Sequence, residues 1–217
     1  MLNTLIIVLA ASLLFGLLYY EKKENRKGLL LTKTILSLLF VIAVLVQPHP
    51  ISRYYHCLLV GLAFCLGGDV FLVLPQKKMF LFGLVFFLLG HVFYIFGFFY
   101  VARLSQWTLV GFLTMLVISV WVYLLLEPHL RSMKAPVVLY VIIITTMVTG
   151  AWSVLGDSNL AQSGRIMVFA GALSFYFSDI FVARDRFLRK EFLNRLIGRP
   201  MYYTGQFLLA FSVGLLR

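Results

Sequence analysis

FLFGLVFFLLGHVFYIFGFFYV, residues 80–101, runs for 22 positions without a charged side chain. As an α-helix it is about 33 Å long, enough to cross a hydrocarbon layer roughly 30 Å thick. Similar runs lie on either side, and together they cover about 2–20, 29–46, 56–74, 80–101, 107–126, 136–155, 165–182 and 201–216. Little but short connections remains. The chain is 62% hydrophobic and 12% charged, whereas about a quarter of the residues of a soluble domain are charged. Membrane strands alternate apolar and polar side chains, and these runs do not, which excludes a β-barrel. The expectation is an all-α polytopic membrane protein of eight transmembrane helices. It forms one integral domain over residues 1–217 with no soluble module. The first run lacks a basic leader and a small-x-small cleavage site before EKKENRKG (21–28), so it reads as a retained helix and not a signal peptide.

Charge supplies the orientation. Of the 19 Lys and Arg, 14 lie in the first, third, fifth and seventh connections, and six of these are in the seventh. Arg53, Arg103, Arg165 and Arg217 lie on the other side, and Lys33 lies inside the second run. The positive-inside rule puts the basic connections in the cytoplasm and both termini outside, as expected for a bacterial inner membrane. The net charge of +11 is thereby explained by topology and anionic lipid, and nucleic acid is not needed as a partner. The seventh connection, RDRFLRKEFLNRLIGRP (184–200), fits either a short interfacial helix or a plain basic anchor, with Pro200 in the first turn of the last span.

Two of the eight acidic residues fall inside apolar runs: Asp69 in GLAFCLGGDVFLVL (61–74) and Asp179 in AGALSFYFSDIFVA (170–183). A carboxylate at membrane depth is costly and marks a functional site by default. Spans three and seven run in the same direction, which puts both aspartates roughly 5–8 Å inside the cytoplasmic edge. Lys33 shares that layer. GGDVFLVL and FSDIFVAR, each followed by a basic connection and an aromatic span, suggest a four-plus-four internal repeat.

Two carboxylates in a poorly solvated site can share a proton, one serving as general acid and the other as base or electrostatic stabiliser. Either can instead cap a helix or pair with Lys33. His91 and Tyr94 share a face of the fourth span and can orient a water, a substrate oxygen or a neighbouring helix. Gln206, after Tyr202 and Tyr203, lies near the aspartates in depth. Zinc hydrolases need about three convergent ligands, and one histidine at membrane depth does not supply them, so neither metal nor cofactor is expected, although Asp69, Asp179 and His91 together could hold a metal. Cys57 and Cys65 lie about 12 Å apart on one helix, too far for a disulfide.

These residues resemble the YhhN-like lysoplasmalogenase family. The resemblance is carried by Lys33 in LTKTILSLLF, by LGGDVFLVLPQKKMFLFGLVFFLLGHVFYIFGF (66–98), by ALSFYFSDIFVARDRF (172–187) and by YYTGQFLLAFS (202–212). Thr34 stands where the family is expected to carry proline. The resemblance implies an ether hydrolase that splits lysoplasmalogens, single-chain glycerophospholipids with an sn-1 vinyl ether, into a fatty aldehyde and glycerophospho-ethanolamine or -choline. Asp69 and Asp179 would be catalytic, with Lys33, His91, Tyr94, Tyr203 and Gln206 in support. Lys33, Lys77, Lys78 or Arg184 would hold the phosphate. The partners would be the lysophospholipid and membrane lipids.

Other readings use the same aspartates. A transporter could couple protons through them, and a lipid-binding protein could use the site without turnover. An intramembrane aspartyl peptidase fits less well, because Leu66 occupies the first glycine of its Gly-x-Gly-Asp motif and no Pro-Ala-Leu follows on a later span.

Overall fold

The computed structural model describes residues 1–217 apart from the side chain of Lys77, so the expected phosphate contact of Lys77 lies outside the described residues. The chain is an all-α membrane protein with eight long helices among the described residues. These are α1 (Leu2–Lys22), α2 (Arg26–Leu45), α3 (Ser52–Val73), α4 (Lys77–Val101), α5 (Gln106–Leu126), α6 (Lys134–Gly156), α7 (Gln162–Ala183) and α8 (Phe192–Leu215). In a bilayer every backbone N–H and C=O must be satisfied within the protein, and a helix does this without partners.

The connections are short, and local chemistry shortens them. Asn25 caps α2, its side chain accepting the Gly28 N–H at 3.1 Å. Glu24 takes a left-handed conformation at φ 52°, which lets the chain reverse between α1 and α2. Short turns, Glu127–His129 and Arg131–Met133, lead into α6, and a single π turn, Arg184–Leu188, follows α7. The outer faces carry exposed apolar side chains such as Phe15, Leu31, Val117, Trp121 and Leu124. That is the surface a lipid solvent requires, whereas a soluble protein would hide it.

Seven helices, α1 to α7, are long and apolar enough to cross a membrane by themselves. The eighth differs from expectation in two ways. It begins at Phe192, so the second half of the basic stretch, with Arg195 and Arg199, forms its first two turns, and the first half is the π turn Arg184–Leu188 and a three-residue link. Pro200 therefore lies inside the helix, not in its first turn. Farther along, α8 is packed by α1, α2, α3 and α7, and Tyr202, Tyr203, Gln206, Leu209, Ala210 and Val213 are buried. Enclosed by protein, it can hold polar side chains that a lipid-facing helix cannot.

Two helix pairs, α3 with α4 and α7 with α8, make the most extensive contacts. Glycine sets both. A Cβ on Gly61 would lie 3.0 Å from the Gly90 oxygen, and one on Gly90 would lie 2.9 Å from the Gly61 oxygen. Gly171 and Gly205 face one another in the same way, at 3.0 and 2.8 Å. Gly61 precedes Asp69 by eight residues, and Gly171 precedes Asp179 by eight. Each close pair thus holds one aspartate at the same offset.

These contacts make a prediction. Gly205→Ala would press a methyl group against the Gly171 oxygen and the Phe175 nitrogen at 2.8 and 3.0 Å, backbone atoms that cannot turn aside. It is expected to destabilise the protein by about 1–3 kcal/mol. Gly16→Ala meets only Thr32 Cγ2 at 3.8 Å and is expected to be neutral or to raise stability by about 0.5–1 kcal/mol. Thermal unfolding in detergent checks both, and equal effects would rule out close packing as the reason for Gly205.

Candidate active site

Asp69 lies four residues from the end of α3 and is 1% exposed. Its Oδ1 meets the Lys33 ammonium at 2.9 Å, and Lys33 is equally buried. Its Oδ2 accepts hydrogen bonds from Ser37 Oγ at 2.5 Å and Tyr202 OH at 2.7 Å. Lys33 and Ser37 stand four apart on one face of α2, so a single helix supplies two of the three donors. An ammonium and two hydroxyls suit the ionised form of this carboxyl.

Polar groups continue inward from Asp69. Tyr202 accepts from Gln206 Nε2 at 3.3 Å, and the Gln206 oxygen accepts from Tyr94 OH at 2.8 Å. Tyr203 OH lies 3.4 Å from Ser37 Oγ. The expected support residues Lys33, Tyr94, Tyr203 and Gln206 therefore form one network around Asp69. A connected network of this kind fixes its members more firmly than isolated bonds would.

Asp179 has different surroundings. It is half-buried in α7, and its Oδ2 accepts from Tyr140 OH of α6 at 2.5 Å. No cation pairs with it among the described residues. His91 stands behind this group, fully buried. Its Nδ1 lies 2.5 Å from the Phe87 carbonyl oxygen, a contact that requires the proton on Nδ1. Its ring is edge-on to Phe175 and to Tyr140, at centroid distances of 4.6 and 5.4 Å.

The two aspartates line one cavity of about 110 Å³. A water molecule needs about 10–15 Å³ of such space, so the cavity admits several waters or a stretch of lipid chain. Its walls are mostly apolar, among them Leu84, Phe87, Val122, Ile144 and Ile180, with Tyr140, Tyr176, Tyr202 and Arg199 adding polar atoms. Phe80, Leu126, Val137 and Phe187 also border it. These residues are at the α3–α4, α5–α6 and α7–α8 connections, so the cavity opens the bundle at its basic end.

Two expected phosphate ligands stand apart from this cavity. Lys78 is exposed at the start of α4, and Arg184 pairs with Glu191 at 3.3 Å. Neither lines the cavity, nor does Lys33, whose charge is taken by Asp69. No group of three or more His, Cys, Asp or Glu side chains converges among the described residues.

Sequence reasoning missed Ser37, Tyr140, Arg199 and Glu21. Ser37 had a signal in its four-residue spacing from Lys33. Tyr140 had none, being one tyrosine in an apolar run. Arg199 and Glu21 were counted with the basic and acidic connections. The extension of α8 instead buries Glu21 to 6% exposure between Arg195 at 3.6 Å and Arg199 at 3.4 Å.

Fold and site define a polytopic membrane protein with two aspartates on one cavity, one of them ion-paired and the other without a cation among the described residues. The sequence pattern of the YhhN family matches residues 29–213, and the chain belongs to that family. Among curated proteins it is similar to "Lysoplasmalogenase TMEM86A" of Homo sapiens and of Bos taurus. Each is 30% identical over 158 residues, covering 70% of this chain and 63% of the relative. The chain thus spans under two thirds of the length of the curated relatives it matches. No solved structure matches it.

Proposed function

We propose that this protein is a membrane hydrolase cleaving the sn-1 vinyl-ether bond of lysoplasmalogens, the class of substrate in its relatives' name. The observation that carries this reading is the pairing of two unlike carboxyls on one apolar cavity: Asp69 held by Lys33, and Asp179 without a cation among the described residues. Vinyl ethers resist nucleophiles and yield to acid, and this arrangement suits acid catalysis.

Asp179, carrying a proton, delivers it to the outer vinyl carbon. The π electrons form the new C–H bond, and the ether oxygen's lone pair stabilises the resulting oxocarbenium ion, whose charge the Asp69 carboxylate offsets at close range in a water-poor cavity. Water adds to the carbon bonded to oxygen and returns a proton to Asp179. The resulting hemiacetal then breaks its bond to the glycerol oxygen, releasing fatty aldehyde and the glycerophospho-alcohol. The basic end of the bundle would face the cytoplasm, which puts the cavity just beneath the headgroups of that leaflet.

Purified protein is expected to release fatty aldehyde from a lysoplasmalogen but not from an sn-1 ester lysolipid, and a chelator should leave the rate unchanged. In deuterated water the aldehyde should carry one solvent deuteron on its second carbon, the mark of carbon protonation. Folded protein that releases no aldehyde would sink this reading.

A further inference from the structure

We infer that Arg199 is the residue that recognises the substrate's phosphate, an inference that rests on the proposed lysolipid reading. Arg199 lines the cavity that both aspartates line. Its closest ion-pair contact is Nε to Glu21 Oε2 at 3.4 Å, and its terminal nitrogens make no hydrogen bond among the described residues.

Arg199 is the one Lys or Arg among the described residues that line the cavity. Glu21 is shared, with Arg195 at 3.6 Å and Arg199 at 3.4 Å. Arg195 has a second carboxylate, Asp185, at 3.2 Å, and Arg199 has Glu21 alone among the described residues. Deeper in, Lys33 and Asp69 cancel one another. An anion that enters the cavity therefore meets Arg199 as the one cation among the described lining residues. A guanidinium with free terminal N–H groups suits the paired oxygens of a phosphodiester. Glu21 holds the near edge of the group, so less side-chain freedom is lost when the anion binds.

Spacing agrees with the chemistry. Arg199 and Tyr202 are three residues apart on one face of α8, about 4.5 Å along the axis, and Tyr202 bonds Asp69. In a 1-alkenyl glycerophospholipid five bonds separate the ether oxygen from phosphorus, roughly 6 Å at ordinary bond lengths. A lipid held by its phosphate at Arg199 thus brings its ether linkage beside the Asp69–Tyr202 pair. Lys78, at the start of α4, and Arg184, in the π turn after α7, do not line this cavity.

The test is binding and needs no turnover. Affinities of the purified protein are measured for a 1-alkyl lysophosphatidylethanolamine, whose saturated ether cannot be cleaved, and for the matching 1-alkylglycerol, which lacks phosphate. Wild-type protein should prefer the phospholipid by tenfold or more. Arg199→Gln should erase that preference by weakening the phospholipid alone, and Arg199→Lys should keep part of it. Because Arg199→Gln leaves Glu21 short of a partner, Glu21→Gln/Arg199→Gln is measured beside it and should behave alike. Glu21→Gln by itself should retain or strengthen the preference.

A preference that survives in both Arg199→Gln proteins would overturn the inference, as would equal weakening of both ligands. So would equal displacement by a diacyl phospholipid, which would assign Arg199 to a surrounding lipid, or by inorganic phosphate at the same concentration. If the preference depends on Arg199 while lysoplasmalogen yields no aldehyde, the phosphate site stands and the hydrolase reading fails.

Discussion

Asp179→Asn is expected to lower kcat for aldehyde release by about 10²- to 10⁴-fold, the range a positioned proton donor contributes. Asparagine has nearly the same shape, and its carbonyl oxygen can still accept the Tyr140 hydroxyl that meets Asp179 at 2.5 Å. The helix packing around Gly171 and Gly205 does not involve the side chain. The loss should therefore fall on kcat, with KM and thermal stability little changed, as for an interaction needed only in the transition state. Steady-state kinetics beside an unfolding curve separates the possibilities. A folded Asp179→Asn protein with more than a tenth of wild-type kcat would mean that the proton comes from elsewhere. A collapse of stability with activity would make Asp179 a structural partner of α6.

How much of this site the sequence disclosed follows from what each residue costs in a membrane. Asp69 and Asp179 were legible because a carboxylate there is expensive wherever it points. The apolar run 80–101 and its companions were legible because a bilayer admits only segments of a certain length and polarity. Tyr140 and Ser37 were hidden because hydroxyls are ordinary in membrane helices, and their role depends on α6 meeting α7 and α2 meeting α3. Arg199 was hidden differently. It closes a run of six basic residues, and Pro200 reads as the start of a helix, since proline is favoured in a first turn. In the structure α8 begins eight residues before Pro200, and tertiary packing outweighs that local preference. The same extension buries Glu21, which looked like one more surface carboxylate at the end of α1. Positions set by the solvent were readable, and those set by which helices touch were not.

Lys33→Met is expected to destabilise the protein by about 3–5 kcal/mol, the cost of stranding one member of a buried ion pair. Asp69 would remain 1% exposed, with only the Ser37 and Tyr202 hydroxyls on its charge. Activity alone cannot interpret this loss, because a poorly folded enzyme and one without its electrostatic stabiliser both fail. The double variant Lys33→Met/Asp69→Leu separates them. It removes both charges and fills the space with apolar atoms, an exchange that is often neutral for a buried pair. Its melting temperature should return most of the way to wild type, giving a coupling energy of several kcal/mol in the double-mutant cycle. Aldehyde release should stay at least 10²-fold down, since the Asp69 carboxylate that offsets the developing cation is then gone. Recovery of both stability and activity would show that Asp69 serves only to neutralise Lys33, and catalysis would then rest on Asp179 alone. A Lys33→Met protein as stable as wild type would show that the pair does not hold α2 to α3 at all.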